Sequence, residues 1–371
     1  MVVTSAARRQ TGTPAALRSA AHTQITKRYP GLSSQPFMPL PAPRGAWPYR
    51  LELADVLPAA ALDAAERAGH LRFHSVGDSG GTPDPAPQQA VAAAMASELD
   101  GPDPAHFFYH LGDVVYGYGE EAGYGPQFFE PYATYHAPIF AVPGNHDADL
   151  ELGSRARSLD AFVDHFCAPE AIAAPARRAM CQPNVYWTLS HKWLTIVGLY
   201  TNVPDGGRVA EDQIEWLVRE LIEAPRDAVL ILALHHCLYS TDVVHGSNLA
   251  LADLLEGAFA RAGRGPDAVF SGHVHSYQRF SRRHRDRVIP HVVAGTGGVN
   301  NLQEIARGVR DLPASFPGLP TVTLEAYQDL SWGYLTVIAG PGFAEVTYST
   351  VAGGVATPFD SFSVRAAALG S

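Results

Sequence analysis

Asp78, Asp113, Tyr116, Asn145, His235, His273 and His275 each stand at or just past the end of an apolar run, beside glycine or histidine. Asp113, within Leu111-Gly112-Asp113-Val114-Val115-Tyr116, is the centre of the series, because the other polar clusters make sense as its partners. An aspartate at the C-terminal end of a strand sits where clefts form in open α/β sheets. Its two oxygens can each take a cation and hold the pair roughly 3.5–4 Å apart, the separation that two-metal hydrolysis uses. Hard oxygens mixed with borderline imidazoles suit Fe, Mn, Zn or Co better than Ca or Mg. Any one of these residues alone is weak evidence. A strand-end aspartate more often caps the helix that follows, and a lone histidine such as His165 or His291 is more often an ordinary surface or core residue. The ordered series carries the argument.

The elements that position these residues follow from the apolar patterning. Residues 71–76 alternate as a strand and end at Gly77-Asp78-Ser79-Gly80, after a short helix over 58–68. A helical composition over 88–99 leads to a strand over 107–111 that delivers Asp113, and residues 137–142 form a short apolar strand ending at Asn145. A loop over 117–125 and a helix over 128–135 lie between the last two. Residues 185–199 read as a hairpin broken at His191-Lys192, and 210–221 have helical spacing. Residues 229–234 are uniformly apolar, as in a central strand, and end at His235-His236. A helix over 249–262 precedes the strand 268–270, which runs into Gly272-His273-Val274-His275. The last third holds strands at 289–294, 333–339, 345–349 and 362–364, which suggests a second sheet. Residues 1–48 lack sustained periodicity and read as an arm, leaving 49–371 as one domain of two packed sheets with helices outside.

Composition narrows the function. With 371 residues and 46% hydrophobic content the chain buries a large core, and its formal net charge of -10 argues against a nucleic-acid polymer as partner. Small substrates are expected instead. No apolar run approaches membrane-spanning length and no basic, apolar leader opens the sequence, which places the expectation in the cytoplasm. Cys167, Cys181 and Cys237 indicate neither a disulfide framework nor structural zinc; three reduced thiols are favoured, and a Cys167–Cys181 bridge stays open for an oxidising compartment.

The blocks Gly77-Asp78-Ser79-Gly80, Gly112-Asp113-Val114-Val115-Tyr116, Gly144-Asn145-His146-Asp147, His235 and Gly272-His273-Val274-His275 resemble the signature of the calcineurin-like metallophosphoesterases, and more closely the purple acid phosphatases. The resemblance covers residues 71–364 and implies an α/β fold, a four-layer αββα sandwich of two mixed sheets flanked by helices. Most metallophosphoesterases open with Asp-x-His, but Gly80 stands at the histidine position here, and Tyr116 is where purple acid phosphatases place a phenolate ligand. The resemblance implies that Asp78, Tyr116 and His275 hold a first metal and that Asn145, His235 and His273 hold a second, with Asp113 bridging. It implies Fe(III) at the first site, since a phenol of ordinary pKa about 10 needs a strongly acidic ion to lose its proton, and a divalent Fe, Zn or Mn at the second. His146 then binds phosphate or protonates the leaving group, while the metals make a hydroxide for in-line attack on phosphorus without a phosphoenzyme.

The departures matter. Cys237 replaces the usual proline of His-x-Pro, so His236 competes with His235 as ligand; the spacing to Tyr239 favours His235, with His236 a substrate-side or structural neighbour. Gln278 stands where a glutamate is common and loses a charge, and Arg279 reads as a structural ion-pair residue. Substrate selection is expected from the loops 117–125, 201–207, 240–248 and 295–302, which carry little positive charge. A phosphomonoesterase is the first expectation, a phosphodiesterase on the same site the alternative, and a non-catalytic metal-binding relative the third.

Overall fold

The computed structural model describes residues 40–167, 181–201, 207–284, 286–306, 309, 311–316 and 318–367. Most of the expected arm, and residues 202–206 of one expected substrate loop, lie outside them.

The first elements among the described residues are strand β1 (Arg50–Glu52), helix α1 (Ala59–Ala68), β2 (Leu71–Val76), helix α2 (Ala86–Ser97), β3 (Phe107–His110) and β4 (Ile139–Ala141). The chain continues through helix α3 (Asp160–Phe166), the hairpin β5 (Trp187–His191) and β6 (Leu194–Gly198), helix α4 (Glu211–Glu223), β7 (Val229–Leu234) and helix α5 (Leu249–Ala262). Among the described residues it then runs through β8 (Ala268–Ser271), β9 (Tyr277–His284), β10 (Arg287–Ala294), β11 (Ala314–Ser315), β12 (Val322–Gln328), β13 (Gly333–Gly340), β14 (Phe343–Ala352) and β15 (Val355–Arg365).

Among the described residues these strands form two mixed sheets, one of six in the order β15-β14-β13-β2-β3-β4 and one of nine in the order β1-β5-β6-β7-β8-β10-β9-β12-β11. The expectation that the C-terminal strands make a sheet of their own is therefore corrected. β13 pairs antiparallel with β2, placing Leu335 opposite Ser75, while β10 pairs parallel with β8, placing Val292 opposite Phe270. Pairings this distant in sequence leave no local trace. The expected helix over 128–135 is also corrected: a single helical turn, Glu121–Tyr124, runs into a π-turn, Gly125–Phe129, and ends there. Pro131 has no N–H to continue the ladder and its ring clashes with the carbonyl four residues back.

Alternation along the strands explains the layering. In β7, Val229, Ile231 and Ala233 join Phe73, Phe107, Tyr109, Phe140 and Trp187 in the core between the sheets, while Leu230, Leu232 and Leu234 join a second core that includes Trp216, Leu217, Leu251 and Leu255 of α4 and α5. A strand covered on both faces reads as an unbroken apolar run, which is why it was legible. On the other side, α2 covers the six-stranded sheet through Val91, Ala92 and Met95. Asn248 caps α5, its side chain accepting the Leu251 N–H at 3.0 Å.

A polar network backs β2. Tyr135 donates to His74 Nδ1 at 3.1 Å, so Nε2–H of the neutral ring donates to Glu98 Oε2 at 3.1 Å. Arg72 and Tyr334 also donate to the Glu98 carboxylate. Burial alone would raise Glu98, but the hydrogen bonds from His74 and Tyr334, with a smaller contribution from the nearby Arg72 charge, outweigh it and take the carboxyl down to about 2. Its folded value lies below its ordinary value of 4.5, so this contribution to stability is complete above pH 4.5 and is lost as pH falls toward 2. Denaturant midpoints measured from pH 5 to pH 2 are expected to fall less steeply in Glu98→Gln than in the wild type; parallel slopes would sink this account.

Candidate metal centre

The candidate residues meet at one edge because the strands that carry them run the same way. β2, β3 and β4 are parallel, as are β7 and β8, and each delivers its residues at its C-terminal end. Asp78, Asp113 and Asn145 leave the six-stranded sheet, while His235, His273 and His275 leave the nine-stranded one. The turns are tight enough to strain the backbone. Among the described residues, five non-glycine residues have left-handed φ, and three of them are Asp78 (59°), Asp113 (53°) and His273 (71°). Such conformations persist where the surroundings over-determine them, and they cluster at functional sites.

The side chains fall into two groups. In the first, Tyr116 Oη donates to Asp78 Oδ1 at 3.0 Å and lies 3.1 Å from His275 Nε2, which is 3.6 Å from the same Asp78 oxygen. In the second, Asn145 Oδ1 is 3.1 Å from His235 Nε2 and 3.0 Å from His273 Nδ1. Asp113 joins them. Its Oδ2 lies 3.4 Å from His235 Nε2, and Asp78, Asp113 and His235 each offer a ligand atom within 4.8 Å of the others. The structure thus brings all seven sequence-derived positions together.

Outer partners aim these groups. His235 Nδ1 donates to the Leu111 carbonyl at 2.9 Å and His275 Nδ1 to the Asn301 carbonyl at 2.9 Å, which leaves each Nε2 facing the site. Asp147, the last residue of the Gly144-Asn145-His146-Asp147 block, has a role that its sequence position does not reveal: its carboxylate accepts the N–H groups of Val114 (3.0 Å), Val115 (3.1 Å) and Gly144 (2.7 Å), tying two exit loops together. Gln127 brackets Tyr116, accepting its N–H at 2.7 Å and donating to its carbonyl at 3.0 Å. No local pattern marks Gln127 in the sequence. His110 accepts the Gly112 N–H through Nδ1 at 3.1 Å and donates from Nε2 to Ser79 Oγ at 2.8 Å, and burial pushes it down to about 3.

The electrostatics fit bound cations. Burial lifts Asp78 to about 7, against the pull of the His235 charge. Burial also opposes a charge on His235, but the Asp113 carboxylate beside it raises the imidazole to about 10, and His235 and His146 hold Asp113 below its ordinary range although its burial works the other way. Two buried carboxylates here demand positive charge, which a cation supplies as readily as a proton. Burial keeps His273 far below its ordinary value and His275 at about 4, so both present the neutral imidazole that ligates metal. Burial and the charges of Asp78 and Asp113 raise the Tyr116 phenol well above its ordinary value, so it stays protonated unless a strongly acidic ion replaces the proton.

His146 is partly exposed, its ring 4.6 Å from that of Tyr116 and its backbone N–H bonded to Asp113 Oδ1 at 2.9 Å. His236 is buried, bonded through Nδ1 to Thr201 Oγ1 at 2.8 Å, with its ring 4.4 Å from that of His273. It packs beside the second group, while its neighbour His235 faces Asn145 and Asp113. The sequence reading named the loop over 240–248 but missed its His245, whose partly exposed ring lies 4.3 Å from that of His273. Arg279 pairs with Asp360 at 2.7 and 3.0 Å, away from the cluster. Cys167 and Cys181 face one another across an antiparallel bridge as reduced thiols.

Comparison with known proteins agrees with this architecture. A purple acid phosphatase isolated from yellow lupin (Lupinus luteus) seeds superposes with a TM-score of 0.58 at 18% identity, covering 80% of this chain and 54% of that one. The arrangement is the metallophosphoesterase sandwich, two mixed sheets flanked by helices. The family model for calcineurin-like phosphoesterase matches residues 71–277, more than half of the chain, and the chain belongs to that family. Among curated proteins, purple acid phosphatase 22 of Arabidopsis thaliana is 25% identical over 240 residues, or 62% of this chain and 50% of that protein. Purple acid phosphatase 15 of the same plant is 26% identical over 196 residues, or 50% of this chain and 33% of that protein. The chain thus spans half or less of the length of these relatives. Membership implies a dinuclear metal site.

Proposed function

We propose that this chain hydrolyses small phosphoric monoesters with a dinuclear metal centre of the purple acid phosphatase kind. One observation carries the reading: a tyrosine hydroxyl, Tyr116 Oη, stands 3.0 Å from Asp78 Oδ1 and 3.1 Å from His275 Nε2. Asp78, Tyr116 and His275 would hold Fe(III), Asn145, His235 and His273 a divalent Fe, Zn or Mn, and Asp113 would serve both. Such a pair supplies Lewis acidity to the phosphoryl oxygens and a water acidic enough to act as nucleophile near neutral pH.

The chain's own groups orient and protonate. His146 Nδ1 lies 3.4 Å from the Gly117 carbonyl, so the ring's Nε2 is the atom left to face a substrate and give a proton to the leaving oxygen. His245, beside His273 and partly exposed, adds a second imidazole, next to the second group, for a phosphate oxygen. The names of the curated relatives support a phosphomonoester as substrate. Among the described residues no helix is long and apolar enough to cross a membrane.

The test is a visible spectrum of concentrated, oxidised protein beside a metal assay of the same sample. A broad phenolate-to-iron band that vanishes in Tyr116→Phe is expected. Colourless protein loaded with Mn or Zn would overturn the Fe(III)–tyrosinate assignment. Faster turnover of bis(p-nitrophenyl) phosphate than of p-nitrophenyl phosphate would overturn the monoester assignment.

A further inference from the structure

We infer that Asp242 is a positioning residue that aims His245 at the substrate, with Gln278 anchoring it to the sheet; this rests on the hydrolase reading above. Asp242 is 1% exposed in a loop whose next two residues, Val243 and Val244, are 57% and 37% exposed. Its carboxylate organises that loop. Oδ2 accepts the N–H groups of Val244 and His245, both at 2.7 Å, and Oδ1 accepts the Gly246 N–H at 2.8 Å and the Ser240 hydroxyl at 2.7 Å. Consecutive N–H groups drawn onto one carboxylate leave the backbone little freedom, so the two valines turn outward while the His245 ring lies against His273.

The carboxylate is itself held. Gln278 lies within β9, paired with Val293 of β10 on one side and Tyr327 of β12 on the other. Its Nε2 donates to Ser240 Oγ at 2.8 Å, and its Oε1 accepts the Thr241 N–H at 2.9 Å and hydroxyl at 3.0 Å. A neutral amide suits this place because it must donate to one residue and accept from the next, which a glutamate carboxylate cannot do. The loop is also stitched to the segment that holds His275: Ala306 N–H donates to the Thr241 carbonyl at 2.6 Å, and Gln303 N–H to the His275 carbonyl at 2.8 Å. His245 is thereby referred to the same frame as the first group. Asparagine at 242 would keep one acceptor oxygen and turn an NH2 toward groups that are themselves donors.

The experiment measures kcat and KM for p-nitrophenyl phosphate, with metal content, in Asp242→Asn, His245→Ala and the double variant. Asp242→Asn is expected to lower kcat/KM by roughly 10–100-fold, about as much as His245→Ala, with metal content unchanged and the double variant no worse than His245→Ala alone. Ser240→Ala, a milder change, is expected to cost several-fold in the wild-type background and nothing in the His245→Ala background. Losses that multiply in the double variants, or an Asp242→Asn protein that loses metal, would overturn the inference while leaving the hydrolase reading intact. A metal-loaded wild type with no turnover would overturn both.

Discussion

Asp113→Asn is expected to lower turnover of p-nitrophenyl phosphate by about 10³-fold or more, since a bound ion's electrostatic stabilisation amounts to several kcal/mol and each 1.36 kcal/mol is tenfold. The purified variant is also expected to carry far less metal than the wild type. The substitution is nearly isosteric, and the side-chain oxygen can still accept the His146 N–H that reaches Asp113 Oδ1 at 2.9 Å. What it removes is the charge, at the position within reach of both Asp78 and His235. The loss should therefore exceed that from Asp147→Asn, because Asp147 bonds only backbone N–H groups. A variant of Asp113 that kept its metal and most of its activity would remove Asp113 from the centre of the site.

Gly144→Ala is expected to disturb the same site through shape. A Cβ at this position would stand 2.1 Å from Asp113 Oδ1 and 2.4 Å from the Asp113 backbone nitrogen, so the Asp113 turn or the Asn145 turn must move. Overpacking of this kind costs about 1–3 kcal/mol and sometimes more, which corresponds to a melting temperature lower by roughly 1–4 °C in a chain of this size. Gly257→Ala is the control, since a Cβ there has nothing within 4 Å and the residue lies within α5. It should raise stability by about 0.5–1 kcal/mol. Equal melting temperatures for Gly144→Ala and the wild type, with metal content preserved, would show that the two turns are not packed as tightly as described.

Four of the strands that end at the cluster, β3, β4, β7 and β8, were legible because each is buried on two faces, and Val229–Leu234 is the clearest case. Their order in the sheets was not. Nothing near Leu71 announces that β13, more than two hundred and fifty residues later, will pair with it. β9 was overlooked as a strand because it carries Arg279, Arg282 and Arg283 beside the buried Tyr277 and Phe280, and a register shift opposite it breaks the alternation of β12. Within the site, residues flanked by glycine at strand exits stood out, since close backbone approach demands glycine there. Gln127 and Asp242 did not. Gln127 acts on the backbone of Tyr116, which the fold brings to it across the sequence, and Asp242 on backbone groups of its own loop, and a lone Gln or Asp in a polar stretch looks like a solvated surface residue. His245 was hidden for the same reason, being one histidine in a loop of Ser, Asp and Val.

The division of the cluster between the sheets has a mechanical side. Asp78, Asp113 and Asn145 ride on one layer, and His235, His273 and His275 on the other, so the packing of Phe73, Phe107 and Phe140 against Trp187, Ile231 and Phe270 works as a caliper. Its jaws are the strand exits, and its setting is the thickness and slide of an aromatic interlayer. Trimming one of those rings would shift one jaw relative to the other before it unfolded either sheet. The spacing of the ligand atoms is thus gauged by side chains that never touch them.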